Sequence, residues 1–218
     1  MSDHLNDLIN LIKLENKNQY IRALAFRLYE NNGVLERIGT KEVINKIEKE
    51  DRKQLKSLGI KIGRYHIFLP KMLKPKAVEL RILLWEFFNG SNHKNLVPKS
   101  GLNFLFDKTG SFNQRFLLLC GFERFKNFYI RVDILEKLFI KIIEKSKNSQ
   151  FEIDSDMINL IGCTRENFFE LMKLMNYKKD KDKQDLFIYK GEKKSKKINK
   201  FVKKNDSPFK KLETLSLK

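Results

Sequence analysis

The stretch LKSLGIKIGRYHIFLPKMLKP, residues 55–75, decides how this chain is read. Leu55 and Leu58 close a helical pattern, and Gly59 supplies the left-handed conformation that ends a helix. Ile60 and the strand formers around Gly63, Arg64, Tyr65 and His66 then predict a hairpin over 60–69, its second strand running from Ile67 to Leu69. Pro75 stands where a proline opens the next helix.

The same outline returns twice, in LLLCGFERFKNFYIRV and LMKLMNYKKDKDKQDLFIYK. Each segment ends a helix at Gly59, Gly121 or Asn176, continues with Ile60, Phe122 or Tyr177, and gives a strand, a basic turn and a second strand. The later second strands are read at Phe128 to Val132 and Leu186 to Tyr189. A helix followed by a two-stranded wing is the outline of a winged-helix unit, although a helix and hairpin joined by glycine is also a common packing motif. The wing tips carry cations suited to phosphate: Lys61 and Arg64, Arg124 and Lys126, and Lys178, Lys179, Lys181 and Lys183.

Outward from these units the pattern is mostly helical. Residues 3–31 read as helix, broken near 16–18, and Asn31, Asn32 and Gly33 end it. A helix capped by Thr40 runs to about Ser57, with Ile44 and Ile47 inward. AVELRILLWEFF after Pro75 is apolar nearly all round, which predicts a buried helix with Trp85 in the core. Residues 91–111 carry Gly, Ser, Asn and Pro98 and read as a connecting loop. Helices follow at 112–120, at 133–146 with Asp133 and Glu136 spaced as a capping box, at 155–161, and at 165–176 capped by Thr164. The chain is thus expected to be α+β and mostly helical, with short β-hairpins resembling winged-helix units. Its parts are an N-terminal helical domain at 1–90, the loop 91–111, a helix–hairpin domain at 112–192, and a Lys-rich tail at 193–218 expected to be disordered.

Charge bounds the function. Lys and Arg number 45 against 27 acids in 218 residues, a net +18, and 41% apolar content suffices for real cores. Residues 178–218 alone hold 15 Lys and 6 acids, or +9. Such an excess points to a polyanion, with nucleic acid ahead of an anionic membrane surface or a merely solvated basic face. Only 10 of the 45 cations are Arg; an A+T-rich coding bias accounts for Lys replacing Arg, not for the excess over acids. Helix 165–176 pairs Arg165 and Lys173 with Glu166 and Glu170, and this neutrality argues against base reading in a major groove.

No P-loop, GxGxxG or HExxH occurs, and no cofactor or metal is called for. Asp154 and Asp156 flank a helix start and read as capping groups. His66 admits three readings: a packing or surface ring, an RNA contact, or a catalytic base. Cys120 and Cys163 stand apart inside apolar patterns, as buried thiols in a reducing compartment. MSDHLNDLINLIK lacks the layout of a secretory signal, and no apolar run is long enough to span a membrane, so a soluble cytoplasmic chain is expected.

LGIKIGRYHIFLPKMLKP followed by AVELRILLW resembles the C-terminal region of bacterial DExH-type RNA helicases related to the mitochondrial RNA-degradosome helicase. The resemblance extends through IRALAFRLYENNGVL at 21–35, GFERF and IRVDILEKL within 121–138, and FEIDSDMINLIGCTRENFFELM at 151–172, to DSPFKKLETL at 206–215. In that family the ATP-driven motor lies upstream of the matched region, and its nucleotide-binding residues have no counterpart here. The resemblance implies a non-catalytic RNA-binding accessory module, its partners being single-stranded or structured RNA and a separate helicase motor chain or RNA-degradation complex, with no membrane. A split piece of an ATP-dependent RNA helicase and a protein-docking or ribosome-associated scaffold are the alternatives. The candidate contacts are Lys61, Arg64, Lys71 and Lys74 for phosphate, Tyr65 for stacking, His66, then Arg124, Lys126 and Arg131, and Lys178, Lys179, Lys181 and Lys183.

Overall fold

Gly59, Gly121 and Asn176 take φ of +80°, +87° and +67° in the computed structural model, each closing a helix and launching a hairpin. The structure describes residues 2–14, 18–89, 97–146, 148–180 and 185–189. The protein is α+β and mostly helical, with three small antiparallel sheets that follow one another along the chain.

The first unit comprises α1 (Ser2–Ile12), α2 (Gln19–Glu30), β1 (Val34–Glu36), α3 (Lys41–Asn45), α4 (Lys49–Ser57), β2 (Lys61–Ile62) and β3 (His66–Phe68). Asn18 caps α2 by accepting the Tyr20 N–H at 2.9 Å. The spacing of Ile21, Leu24, Ala25 and Leu28 then turns one face inward, and all four are buried. The expected single helix over 40–57 is two helices broken at 46–48, and the Thr40 hydroxyl donates to the Arg37 carbonyl instead of capping.

The second unit comprises α5 (Pro75–Asn89), β4 (Phe104–Phe106), α6 (Gln114–Leu119), β5 (Phe122–Phe125) and β6 (Phe128–Arg131). β4 lies inside the stretch read as a connecting loop. Where the first unit has a helix after its leading strand, this one has a loop wound around Asp107. The carboxylate of Asp107 accepts the N–H groups of Thr109, Gly110, Ser111 and Phe112. α5 is not buried all round: Ala77, Arg81 and Ile82 face the core, while Leu83 is 55% and Phe87 83% exposed. Trp85 does pack inward, edge-on to Phe116 at 5.2 Å.

The third unit comprises α7 (Val132–Lys145), β7 (Gln150–Glu152), α8 (Ser155–Ile161), α9 (Arg165–Leu174), β8 (Tyr177–Lys179) and β9 (Leu186–Tyr189). Asp154 and Thr164 cap α8 and α9 as their sequence positions predict. No capping box opens α7: Asp133 pairs with Arg131, and Glu136 turns away from its own helix end.

In every unit the leading strand pairs with the last strand of the hairpin, giving sheet orders β1-β3-β2, β4-β6-β5 and β7-β9-β8. Val34 opposes Phe68, Phe104 opposes Ile130 and Gln150 opposes Ile188. The period of two along β6 serves two cores at once. Phe128 and Ile130 join the cluster around Leu135, Leu138, Phe168 and Met172, whereas Tyr129 faces Phe116, Leu117 and Phe122. Burying an apolar side chain such as Leu138 or Phe116 contributes about 1.5–3 kcal/mol, and each unit holds several such residues.

Candidate nucleic-acid interface

The turn 63–65 closes through the Gly63 N–H donating to the His66 carbonyl at 2.8 Å. Two of its carbonyls are taken by Arg37, whose guanidinium donates to Gly63 O at 2.7 Å and whose backbone N–H donates to Tyr65 O at 2.8 Å. The three successive N–H groups of Arg64, Tyr65 and His66 point the other way, into the Glu136 carboxylate, at 2.7, 2.7 and 3.0 Å. Such a run of amides is an anion nest, and here a carboxylate of α7 fills it. Gly63 is required: a Cβ there would overlap the Glu136 carboxylate.

This contact relocates the first group of expected RNA ligands. Tyr65 is half-buried and meets Phe139 edge-on at 5.8 Å; burial pushes its hydroxyl up to about 12. His66 is 1% exposed, with Nε2 2.7 Å from Glu123 Oε2. A carboxylate only accepts, so Nε2 carries the proton, while Nδ1 is buried without a hydrogen-bond partner and lies 3.9 Å from Glu136 Oε1. Arg64 is an exposed residue, yet its guanidinium sits over the Phe139 ring at 5.0 Å and donates to the Tyr189 hydroxyl at 3.2 Å. His66 is packed between units instead of standing at the surface, while Tyr65 packs on Phe139 and also lines the groove described below.

The other expected ligands are exposed to varying degrees. Lys61 and Lys74 are exposed, and Lys71 is exposed with an ion pair to Asp7 at 3.1 Å. Arg124 reaches Gln114 at 3.3 Å, and Lys126 reaches Glu170 at 3.3 Å. Arg131 is half-buried in its two-point contact with Asp133. Lys178 and Lys179 stand exposed on β8, Lys179 also lying 4.7 Å over the Phe169 ring. Lys181, Lys183 and the tail lie outside the described residues.

Two features escaped the sequence reading. On α4, Lys49, Arg52, Lys53 and Lys56 are exposed beside one exposed acid, Glu50, making this the basic counterpart of the near-neutral α9. Their spacing was a visible signal. The second is a groove of about 660 Å³ where the three units meet, lined by Arg37, Lys41, Asn45 and Arg64 of the first, Glu123 and Phe125 of the second, and Asn176 of the third. Nothing local in the sequence announces it.

The groove presents cations, carboxylates, amides and a Phe ring. Its lining holds no Ser, Thr or Cys for the His66–Glu123 pair to activate. Among the described residues no group of three or more His, Cys, Asp or Glu could hold a metal ion. Both cysteines are free, and burial pushes the Cys120 thiol up to about 12 and the Cys163 thiol to about 11, far from a reactive thiolate. No described helix is long and apolar enough to cross a membrane. No family model matches the chain, and neither a curated protein nor a solved structure matches it.

Proposed function

We propose that this chain is a non-catalytic RNA-binding accessory module, of the kind found in the C-terminal region of DExH RNA helicases, working in the cytoplasm. The observation that carries the reading is the exposed basic face of α4, in a chain of net +18. The repeated order of helix, leading strand, one or two helices and hairpin supports a winged-helix-like reading of each unit, in which α4 holds the place of a recognition helix. Lysines at such a position neutralise phosphates without reading bases, which suits RNA of no fixed sequence.

The test is titration of the purified chain against single-stranded RNA at rising salt. Each phosphate neutralised contributes about −0.7 to the log–log slope, so affinity falls steeply. A flat salt dependence, or no binding at low salt, overturns the reading.

A second reading, a subunit docked on a separately encoded helicase motor, is favoured by the exposed Leu83 and Phe87 on α5. Co-purification with a P-loop protein that fails to bind after Phe87→Asp would support it.

A further inference from the structure

We infer that the groove between the three units is the path of a single RNA strand, with phosphates on Arg37, Lys41 and Arg64 and bases toward Phe125, Asn45 and Asn176; this rests on the RNA-binding reading and assigns its site. Arg37, Lys41 and Arg64 of the first unit line a recess to which the other two units add Glu123, Phe125 and Asn176. Arg64 is already oriented by Phe139 and Tyr189, and Arg37 by Gly63, so little side-chain entropy is left to lose when phosphate arrives.

The rest of the lining has the chemistry to meet bases. Phe125 is a half-buried ring at the groove, backed by Phe128 in a near-parallel stack at 6.2 Å. A base laid on Phe125 gains sequence-tolerant stacking, and the side-chain amides of Asn45 and Asn176 offer both donors and acceptors to its edge. Glu36 and Glu123 break the positive field and suit the N–H groups on the pairing edge of an unpaired base, which a duplex occupies. A volume of about 660 Å³ admits a few unstacked nucleotides and no double helix. The latch between Glu136 and residues 64–66 therefore serves binding, since it holds the first unit against the third and keeps the groove's lining in register.

The test uses the full chain, a fluorescent oligouridine of about twenty nucleotides and anisotropy at moderate salt. Lys41→Glu is the informative variant, because Lys41 is exposed in the first turn of α3, where an acid favours the helix and the fold is spared. Binding should weaken on the order of tenfold, with the melting temperature unchanged. Lys137→Glu, exposed on α7 and outside the groove lining, serves as the comparison and should weaken binding about threefold or less, while Lys53→Glu on α4 should weaken it by less than Lys41→Glu does. Crosslinking with thiouridine-containing RNA should mark Phe125 or its neighbours. Unchanged affinity in Lys41→Glu with a large loss in Lys53→Glu overturns the groove and leaves RNA binding standing on α4. Absence of binding by the unaltered chain overturns both, and crosslinks confined to 178–218 overturn the groove alone.

Discussion

The first hairpin ends beneath another unit, its turn amides inside the carboxylate of Glu136, whereas the second ends at the surface, where Lys126 and Asn127 are exposed. Both turns are basic and both follow a left-handed helix cap. Residue type at a tip therefore says little about its duty; the group that meets it decides. An Arg at the first tip is part of a junction, with its charge over Phe139, while an Arg or Lys at the second meets only exposed partners such as Glu170. Exposed pairs of that kind are worth about 0–1 kcal/mol.

The sharpest way to break this comparison is Glu136→Ala, which strands three inward-facing amides. It should cost about 3–5 kcal/mol in denaturant unfolding, since each buried donor left without a partner costs about 1–3 kcal/mol and two of the three are only part-buried. A loss below about 1 kcal/mol would mean that the junction is incidental. Next in size, Gly63→Ala forces a methyl into the same carboxylate and should cost about 1–3 kcal/mol, as overpacking does. At the exposed turn the opposite holds. Lys126 has φ +53°, so Lys126→Gly relieves about 1 kcal/mol of strain and should leave the protein as stable or slightly more so.

Acid offers a further separation. Burial opposes ionisation of Asp107, but N–H donors from Phe112, Gly110 and Ser111, with the Thr109 hydroxyl, outweigh it and hold the carboxyl below its ordinary value. A depressed carboxyl gives stability that is present above its unfolded pKa and lost as pH falls toward the folded one. The loop beside β4 should loosen in that acid window, and Asp107→Asn should flatten the dependence. Amide exchange at Gly110 and Phe112 against pH checks this, and an unaltered profile in the variant counts against it. The smallest effect belongs to Lys178→Glu with Lys179→Glu: stability within about 0.5 kcal/mol of the parent, since both are exposed on β8.

Much of the fold could be read from local pattern. Gly59, Gly121 and Asn176 disclosed the repeated unit because a left-handed cap has few suitable residue types, and Phe168, Leu171, Met172 and Met175 disclosed the buried face of α9 by spacing. The leading strands VLE, FLF and QFE could not be read, since three residues have no measurable period and their pairing reaches to 68, 130 and 188. Glu136 misled for a physical reason: three residues past Asp133 it fits a capping box, and nothing nearby reports amides 70 to 72 positions upstream. Of the candidate site, the cations were legible and their grouping was not. Arg37 and Lys41 enter the groove only because β1 pairs with β3, which brings the start of α3 beside the turn.

β6 gives alternate side chains to two cores and passes without a break into α7. The second and third units thus own one strand in common, and neither can lose its order while the other keeps its own. Their opening is one cooperative event, and the amides of Phe128 to Ile130 should exchange with solvent only through it. A cut between the two units would leave each fragment with an unfinished interior.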